Sequence, residues 1–183
     1  DGFIGVDDAK YVPLSYDFGI RADFRTDTVR KYEYTYTDTF NRAPTLVMAT
    51  FTDDIIFAGP EGGAVALRAG IDQFIGGDGW DSVRYHYSEI ETGLEIDLNT
   101  GIVRGTWDDT FFSHRLTAID EVLGTNHDDT ITGTDRNEGL YGRTGDDEVR
   151  GGAGDDSVAG YEGEDTLYGD DGDDTVWGWT GTD

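Results

Sequence analysis

A nine-residue period in the last third of the chain constrains the fold more than any other feature of the sequence. Four segments follow one another without a gap over 142–177 and read GRTGDDEVR, GGAGDDSVA, GYEGEDTLY and GDDGDDTVW. The same phase extends backwards through GTNHDDTIT, GTDRNEGLY and RLTAIDEVL, and a second block over 49–84 reads ATFTDDIIF, AGPEGGAVA, LRAGIDQFI and GGDGWDSVR. Tandem units of this length predict a stack of coils in which each repeat contacts its neighbours.

Two positions define the repeat. The sixth residue is Asp in ten of twelve repeats when the partial repeat GWTGTD is counted, and the exceptions are Gly63 and Glu138. The eighth residue is apolar in all eleven complete repeats: Ile56, Val65, Phe74, Val83, Val122, Ile131, Leu140, Val149, Val158, Leu167 and Val176. This pattern predicts a short strand whose eighth side chain points into a core while its neighbours point outward.

The first six residues of each repeat are predicted to form a tight turn. Glycine is frequent at the first, second and fourth positions, and we expect it there because the turn needs positive φ values. Two repeats complete one coil, so repeats two apart stack on the same side at about 4.8 Å. The stacking brings the sixth-position carboxylates of alternate repeats together.

Carboxylates at that spacing repel one another, which predicts a cation between the turns. Calcium fits best because it takes six to eight oxygen ligands, whereas magnesium demands a tight octahedron and zinc prefers nitrogen and sulfur. Pairing of alternate repeats (Asp54 with Asp72, Asp129 with Asp147, Asp147 with Asp165, Asp156 with Asp174, Asp165 with Asp183) predicts about five or more Ca²⁺ ions. The predicted ligands are Asp54, Asp72, Asp81, Asp129, Asp147, Asp156, Asp165, Asp174 and Asp183.

The charge distribution supports a cation as the partner. The formal net charge is -26, from 13 basic and 39 acidic residues. Residues 1–48 hold 8 acidic and 6 basic side chains, so 49–183 hold the other 31 and 7, a net charge of -24. Such a surface repels phosphates and excludes a nucleic-acid partner. The chain has no cysteine and therefore no disulfide or thiolate metal site, and no apolar run approaches the roughly 18 residues of a membrane span.

The segments GGAGDDSVA and GDDGDDTVW resemble the RTX family of hemolysin-type calcium-binding repeats, and the resemblance extends over about residues 49–183. It implies a right-handed parallel β-roll, calcium held by aspartate carboxylates and backbone carbonyls, and export from a bacterial cell by a type I system. The sequence departs from the family pattern at Gly63, at Glu138 and at the glycine-poor turn that begins at Arg115.

Two regions lie outside the repeat. In residues 1–48 the apolar residues alternate from Val12 to Phe24, which predicts a half-buried strand, and Tyr32, Tyr34 and Tyr36 continue the alternation. The run from Thr45 to Phe51 is a third predicted strand, leading into the roll. We expect an antiparallel unit that caps the first coil. The alternative is a carbohydrate-binding surface made of the tyrosines with Arg21, Arg25, Arg30 and Lys31.

Residues 85–114 are the second region outside the repeat, and they interrupt its nine-residue phase. Leu94, Ile96 and Leu98 alternate ahead of a turn at 99–101, which predicts a β-hairpin, and we expect Trp107, Phe111 and Phe112 to pack against the roll. The histidines at 86, 114 and 127 are scattered, and neither HExxH nor GxSxG occurs. We therefore expect no enzymatic activity.

The sequence as a whole predicts an all-β chain: an antiparallel unit over 1–48, degenerate repeats over 49–84, a hairpin insert over 85–114 and a calcium-binding roll over 115–183. The expected function is a structural, calcium-folded module of a secreted or cell-surface protein of adhesin, surface-layer or toxin type. The alternatives are an accessory domain of an extracellular polysaccharide-acting enzyme and a carbohydrate-binding module. Further repeats, a partner subunit or an extracellular polysaccharide are the expected partners.

Overall fold

A computed structural model describes residues 12–13, 20–23, 28–31, 37–39, 46–49, 53–86, 90–107 and 109–181. All regular structure in these ranges is β-strand, and no helix long and apolar enough to cross a membrane occurs in them. The strands form two sheets around one hydrophobic cluster.

The first sheet has eight strands, which in spatial order are β1 (Val12–Pro13), β5 (Val47–Met48), β7 (Gly62–Ala66), β9 (Trp80–Arg84), β13 (Glu121–Leu123), β15 (Gly139–Thr144), β17 (Ser157–Glu162) and β19 (Thr175–Thr180). The second has eleven: β18 (Thr166–Asp171), β16 (Glu148–Ala153), β14 (Thr130–Thr132), β10 (Glu95–Asp97), β11 (Ile102–Trp107), β12 (Thr110–Thr117), β8 (Gln73–Ile75), β6 (Ile55–Phe57), β2 (Ile20–Asp23), β3 (Thr28–Lys31) and β4 (Thr37–Thr39).

Successive repeats alternate between the two sheets, so each repeat pairs in parallel with the repeat two positions further along. Ile131 pairs with Val149 and Val149 with Leu167 in the larger sheet, while Val122 pairs with Leu140 in the smaller one. Every eighth-position residue from Ile56 to Val158 is at most 2% exposed. The predicted parallel β-roll with an inward eighth residue is therefore confirmed. Leu167 is partly buried and Val176 is 44% exposed.

The insert forms three antiparallel strands inside the larger sheet. β10 and β11 make the predicted hairpin across the turn at 98–101, and β12 pairs antiparallel with β11. β12 also pairs in parallel with β8, and β10 with β14. Three strands thus lie between β8 and β14, whereas in the facing sheet β9 pairs directly with β13.

The aromatic residues of the insert were predicted to pack inward, and one of them does not. Phe112 is 3% exposed and Trp107 packs against the core, but Phe111 is 64% exposed. The prediction for Phe111 is wrong because neighbouring residues of a strand point to opposite faces, and Phe112 takes the inward position in β12.

The described strands before residue 49 extend both sheets of the roll. β2, β3 and β4 are antiparallel, as predicted, but β2 also pairs in parallel with β6 and β1 in parallel with β5. The prediction of one strand from Val12 to Phe24 is wrong, since β1 and β2 lie in different sheets. In the predicted strand from Thr45 to Phe51, β5 pairs in parallel with β7. Tyr32, Tyr34 and Tyr36 lie outside the described residues.

Truncation of one inward side chain tests the roll directly. Ile131 is fully buried between Ile96 and Val149, so Ile131→Ala should lower the free energy of unfolding in saturating calcium by about 2–5 kcal/mol. Thr130→Ala, at the adjacent exposed position, should change it by less than about 0.5 kcal/mol. Equal effects of the two variants in denaturant titrations would contradict the inward assignment.

Candidate metal centre

The sixth residues of the repeats form two columns, one along each sheet, because each lies at the start of a strand of the ladder. The column of the larger sheet contains Asp54, Asp72, Asp129, Asp147 and Asp165. The column of the smaller sheet contains Asp81, Asp120, Glu138, Asp156 and Asp174. Asp183, the remaining predicted ligand, lies outside the described residues.

Hydrogen bonds connect each column from coil to coil. The N–H of a sixth residue donates to Oδ1 of the sixth residue in the next coil, as from Asp129 to Asp147 (2.7 Å) and from Asp147 to Asp165 (3.0 Å). The same bond joins Asp54 to Asp72 (2.9 Å) and Asp156 to Asp174 (2.9 Å). Four of the five predicted pairs are thus in contact, and the fifth includes Asp183.

The fifth residues form a second set of bonds in the opposite direction. The N–H of Asp146 donates to Asp128 Oδ1 at 2.9 Å, and that of Asp155 donates to Asn137 Oδ1 at 3.0 Å. An amide side chain therefore serves as well as a carboxylate at the fifth position. The requirement for an acid is specific to the sixth.

The second carboxylate oxygen of several sixth residues has no hydrogen-bond donor. Asp147 Oδ2 and Asp156 Oδ2 are buried without a partner, and so is Asp81 Oδ1. A buried polar atom of this kind destabilises a fold by an amount comparable to a lost hydrogen bond unless a further group binds it. These oxygens are positioned to accept a cation.

The glycines of the turn have two separate roles. A Cβ at Gly142 would lie 2.1 Å from Asp147 Oδ2, and one at Gly151 would lie 2.5 Å from Asp156 Oδ2. The first glycine therefore leaves room for the carboxylate, and the prediction that it supplies positive φ is wrong. The fourth glycine does supply it, with φ of 127° at Gly145.

The second position also has positive φ, but it does not require glycine. The second residues are Arg143 (φ 95°), Gly152 (110°), Tyr161 (83°), Asp170 (68°) and Trp179 (76°). We call the first four turns of this kind, at 142–147, 151–156, 160–165 and 169–174, the open turns.

The open turns fall within the part of the chain that matches a known protein family. The model of the RTX calcium-binding nonapeptide repeat matches in four copies, at residues 68–85, 123–158, 132–167 and 151–183. These residues are RTX repeats. RTX repeats bind Ca²⁺ in general, and the parallel roll with its carboxylate columns agrees with that assignment. No curated protein sequence is similar enough to the whole chain to count as a match.

The carboxylates of the RTX roll hold protons tightly when no cation is bound. The pKa of Asp147 is raised to about 7, mainly by burial and also by the charges of Asp129 and Asp165, while the hydrogen bond from the Asp129 N–H lowers it. Burial raises the pKa of Asp129 to about 6. It also raises the pKa of Asp156, to which the charges of Asp174 and Asp155 contribute.

A histidine replaces the carboxylate at one level of the larger sheet. Arg115 pairs with Gln73, so His114 takes the place of a sixth-position aspartate next to Asp72. His114 Nε2 lies 3.3 Å from Asp72 Oδ2, and Nδ1 lies 3.2 Å from the Tyr85 hydroxyl. Both Asp72 and His114 are fully buried. Sequence reasoning missed this pair because the insert breaks the repeat phase before residue 114.

Burial makes the Asp72–His114 pair neutral. The pKa of Asp72 is raised to about 9, mainly by burial and also by the charge of Asp54, and burial lowers the pKa of His114 to about 3. The imidazole also stacks between Tyr85 and Phe112, with ring centroids 5.7 and 4.7 Å away. A neutral ring has one donor and one acceptor nitrogen, and Nδ1 makes its hydrogen bond with the Tyr85 hydroxyl.

A cation in these columns would need backbone ligands. Among the described residues, no three His, Asp or Glu side chains converge closely enough to hold a metal ion by themselves. Calcium commonly completes its shell with backbone carbonyls and water. Two carboxylates with several carbonyls are therefore a suitable donor set for calcium, and a poor one for zinc.

Protonation of the buried carboxylates at acid pH should stabilise the roll when calcium is absent. Asp147 has a pKa of about 7 when folded and an ordinary value of 3.8, so between these values the folded chain binds more protons than the unfolded chain. Its free energy of unfolding therefore falls as the pH rises through this interval. We expect more β-structure by circular dichroism at about pH 5 than at about pH 7.5 after calcium is removed. Equal spectra would contradict the raised pKa values.

Proposed function

We propose that this chain is a calcium-folded structural module, in which ions between the stacked open turns neutralise the carboxylate columns. The proposed ligands are Asp147, Asp156, Asp165 and Asp174 together with backbone carbonyls. The observation that carries the proposal is the pair of buried Oδ2 atoms on Asp147 and Asp156 that have no donor. Calcium would supply the positive charge that compensates these oxygens. The free energy of its binding would then contribute to the free energy of folding.

The composition of the open turns favours an ion over any other way of closing them. From 142 to 177 the chain has nine Asp, three Glu and two basic residues, Arg143 and Arg150. Each basic side chain has a partner outside the columns: Arg143 donates to Asn126 Oδ1, and Arg150 donates to Glu148 and lies 3.9 Å from the centre of the Tyr168 ring. Neither contacts an unpaired Oδ2 atom in these interactions.

We place the module in a secreted or cell-surface protein of adhesin, surface-layer or toxin type. RTX repeats are typically found in proteins exported by type I systems. A roll that needs calcium would stay unfolded where free calcium is scarce and would fold where it is abundant. The role is therefore structural, and an accessory domain of an extracellular polysaccharide-acting enzyme is the other context that such a module would suit.

Adjacent aspartates provide a matched test of the ligand assignment. Asp156→Asn and Asp155→Asn remove the same charge, but only Asp156 has a buried oxygen without a donor. Asp155 accepts the N–H of Asp173, a bond that Asn137 already makes one coil earlier. In isothermal calorimetry Asp156→Asn should lose about one calcium ion per chain, while Asp155→Asn should keep the wild-type stoichiometry. The same stoichiometry in both variants would exclude Asp156 as a ligand.

The calcium dependence of folding tests the proposed location. Extracellular modules bind calcium at about 10⁻⁴–10⁻³ M, and intracellular sensors at about 10⁻⁷–10⁻⁵ M. We expect the midpoint of calcium-induced folding, followed by circular dichroism, in the first range. A midpoint below about 10⁻⁶ M would contradict an extracellular role.

A further inference from the structure

Two consecutive turns close by a different arrangement from the open turns. We call them the threonine turns; they are 124–129 (GTNHDD) and 133–138 (GTDRNE). Their second residues, Thr125 and Thr134, do not have the positive φ of the open turns. In each, the N–H of the fourth residue donates to the threonine Oγ1, from His127 at 3.0 Å and from Arg136 at 3.1 Å.

The threonine in turn donates to the carboxylate that an ion would otherwise bind. Thr125 donates its N–H to Asp129 Oδ2 at 2.6 Å, and its hydroxyl lies 3.1 and 3.2 Å from the two carboxylate oxygens. Asp129 Oδ1 also accepts the N–H of Leu94 at 2.6 Å. Thr134 donates its N–H to Glu138 Oε2 at 2.7 Å and its hydroxyl to Oε1 at 2.6 Å. Both oxygens of each acid thus have donors, whereas Oδ2 of Asp147 and of Asp156 has none.

A cationic side chain accompanies the threonine turns. Arg136 occupies the fourth position, where the open turns have glycine, and its guanidinium binds Asp120 Oδ1 in the preceding coil of the same column. The other oxygen of Asp120 accepts the N–H of Asp81 at 2.8 Å. Arg136 also lowers the pKa values of Asp81 and Glu138, against the larger effect of burial. One arginine therefore compensates charge on three successive acids of the column.

The core is also larger at these levels. The coils around the insert bury Phe74, Tyr85, Ile96, Phe112 and Leu116. In the described residues after 141, the buried hydrophobic residues are Val149, Val158 and Ala159. Burial of apolar surface is the main favourable term in folding. The threonine turns, whose acids have donors on both carboxylate oxygens, thus lie beside the coils that bury the larger hydrophobic side chains.

We propose that the threonine turns bind no calcium and that, with the insert, they form a calcium-independent segment on which the open turns fold once calcium arrives. Arg136 supplies positive charge and the two threonines supply hydrogen-bond donors to these carboxylates, which in the open turns would be bound by calcium. This inference rests on the proposed function, because it divides the same roll into a part that needs the ion and a part that does not.

Hydrogen exchange of the whole chain, with calcium and with excess EGTA at neutral pH, tests the division. Amides of 124–141 should change in protection by less than about tenfold on chelation, whereas those of 145–180 should lose at least about a hundredfold. Loss of protection along the whole chain would overturn the inference and leave the proposed function intact. Protection that is the same everywhere with and without calcium, together with no calorimetric binding, would instead overturn the proposed function.

Conversion of one threonine turn into an open turn tests the cause. Thr134→Gly, Arg136→Gly and Glu138→Asp together give that turn the sequence features of 151–156. We expect the triple variant to bind about one more calcium ion per chain than the wild type, and protection of 124–141 to become calcium-dependent. Unchanged stoichiometry and unchanged protection in EGTA would overturn the role given to these residues.

A control pair makes similar changes in a turn that is already open. Tyr161→Gly with Glu164→Asp should leave the calcium stoichiometry unchanged. A gain of an ion in this control equal to that in the triple variant would show that added glycine, rather than loss of the threonine and arginine contacts, creates sites. The exchange pattern of the wild-type chain decides the inference even where the triple variant does not fold.

Discussion

Repulsion between stacked carboxylates is the constraint on which the whole structure depends. A parallel roll places equivalent residues of alternate repeats about 4.8 Å apart, and two unit charges at that distance repel by about 3 kcal/mol at an effective dielectric constant of 20. The columns contain five acids along each sheet in the described residues. The hydrophobic core is narrow in the strands that follow the open turns, so burial of apolar side chains there offsets little of this repulsion. The fold therefore needs a partner for nearly every sixth residue.

The chain meets this need in three chemically different ways. In the threonine turns, hydroxyl and amide donors with Arg136 satisfy the acids. Next to the insert, a buried neutral histidine faces a protonated Asp72. In the open turns, Asp147 and Asp156 have an oxygen with no protein donor, and we assign these to calcium. Folding of the roll should therefore depend on calcium at the open turns and not at the threonine turns.

The sequence was enough to predict the regular part of the fold, because that part depends on a strict local pattern. The inward eighth residues, the stacking of repeats two apart and the aspartate pairs all follow from a period of nine. What escaped prediction depends on contacts between distant residues. His114 faces Asp72 only because three strands of the insert enter the larger sheet, and the role of the first glycine becomes visible only beside the carboxylate it accommodates. The second-position threonines were readable in the sequence, but their meaning required the hydrogen bonds to Asp129 and Glu138.

The most direct test of the account is the location of calcium itself. Anomalous diffraction from crystals of the whole chain grown in calcium would mark each bound ion. The account predicts peaks beside Asp147 Oδ2 and Asp156 Oδ2, within about 2.3–2.6 Å of those atoms, and none at the carboxylates of Asp129 and Glu138. Peaks of equal height in the threonine turns and the open turns, or no peak near Asp147 and Asp156, would contradict it.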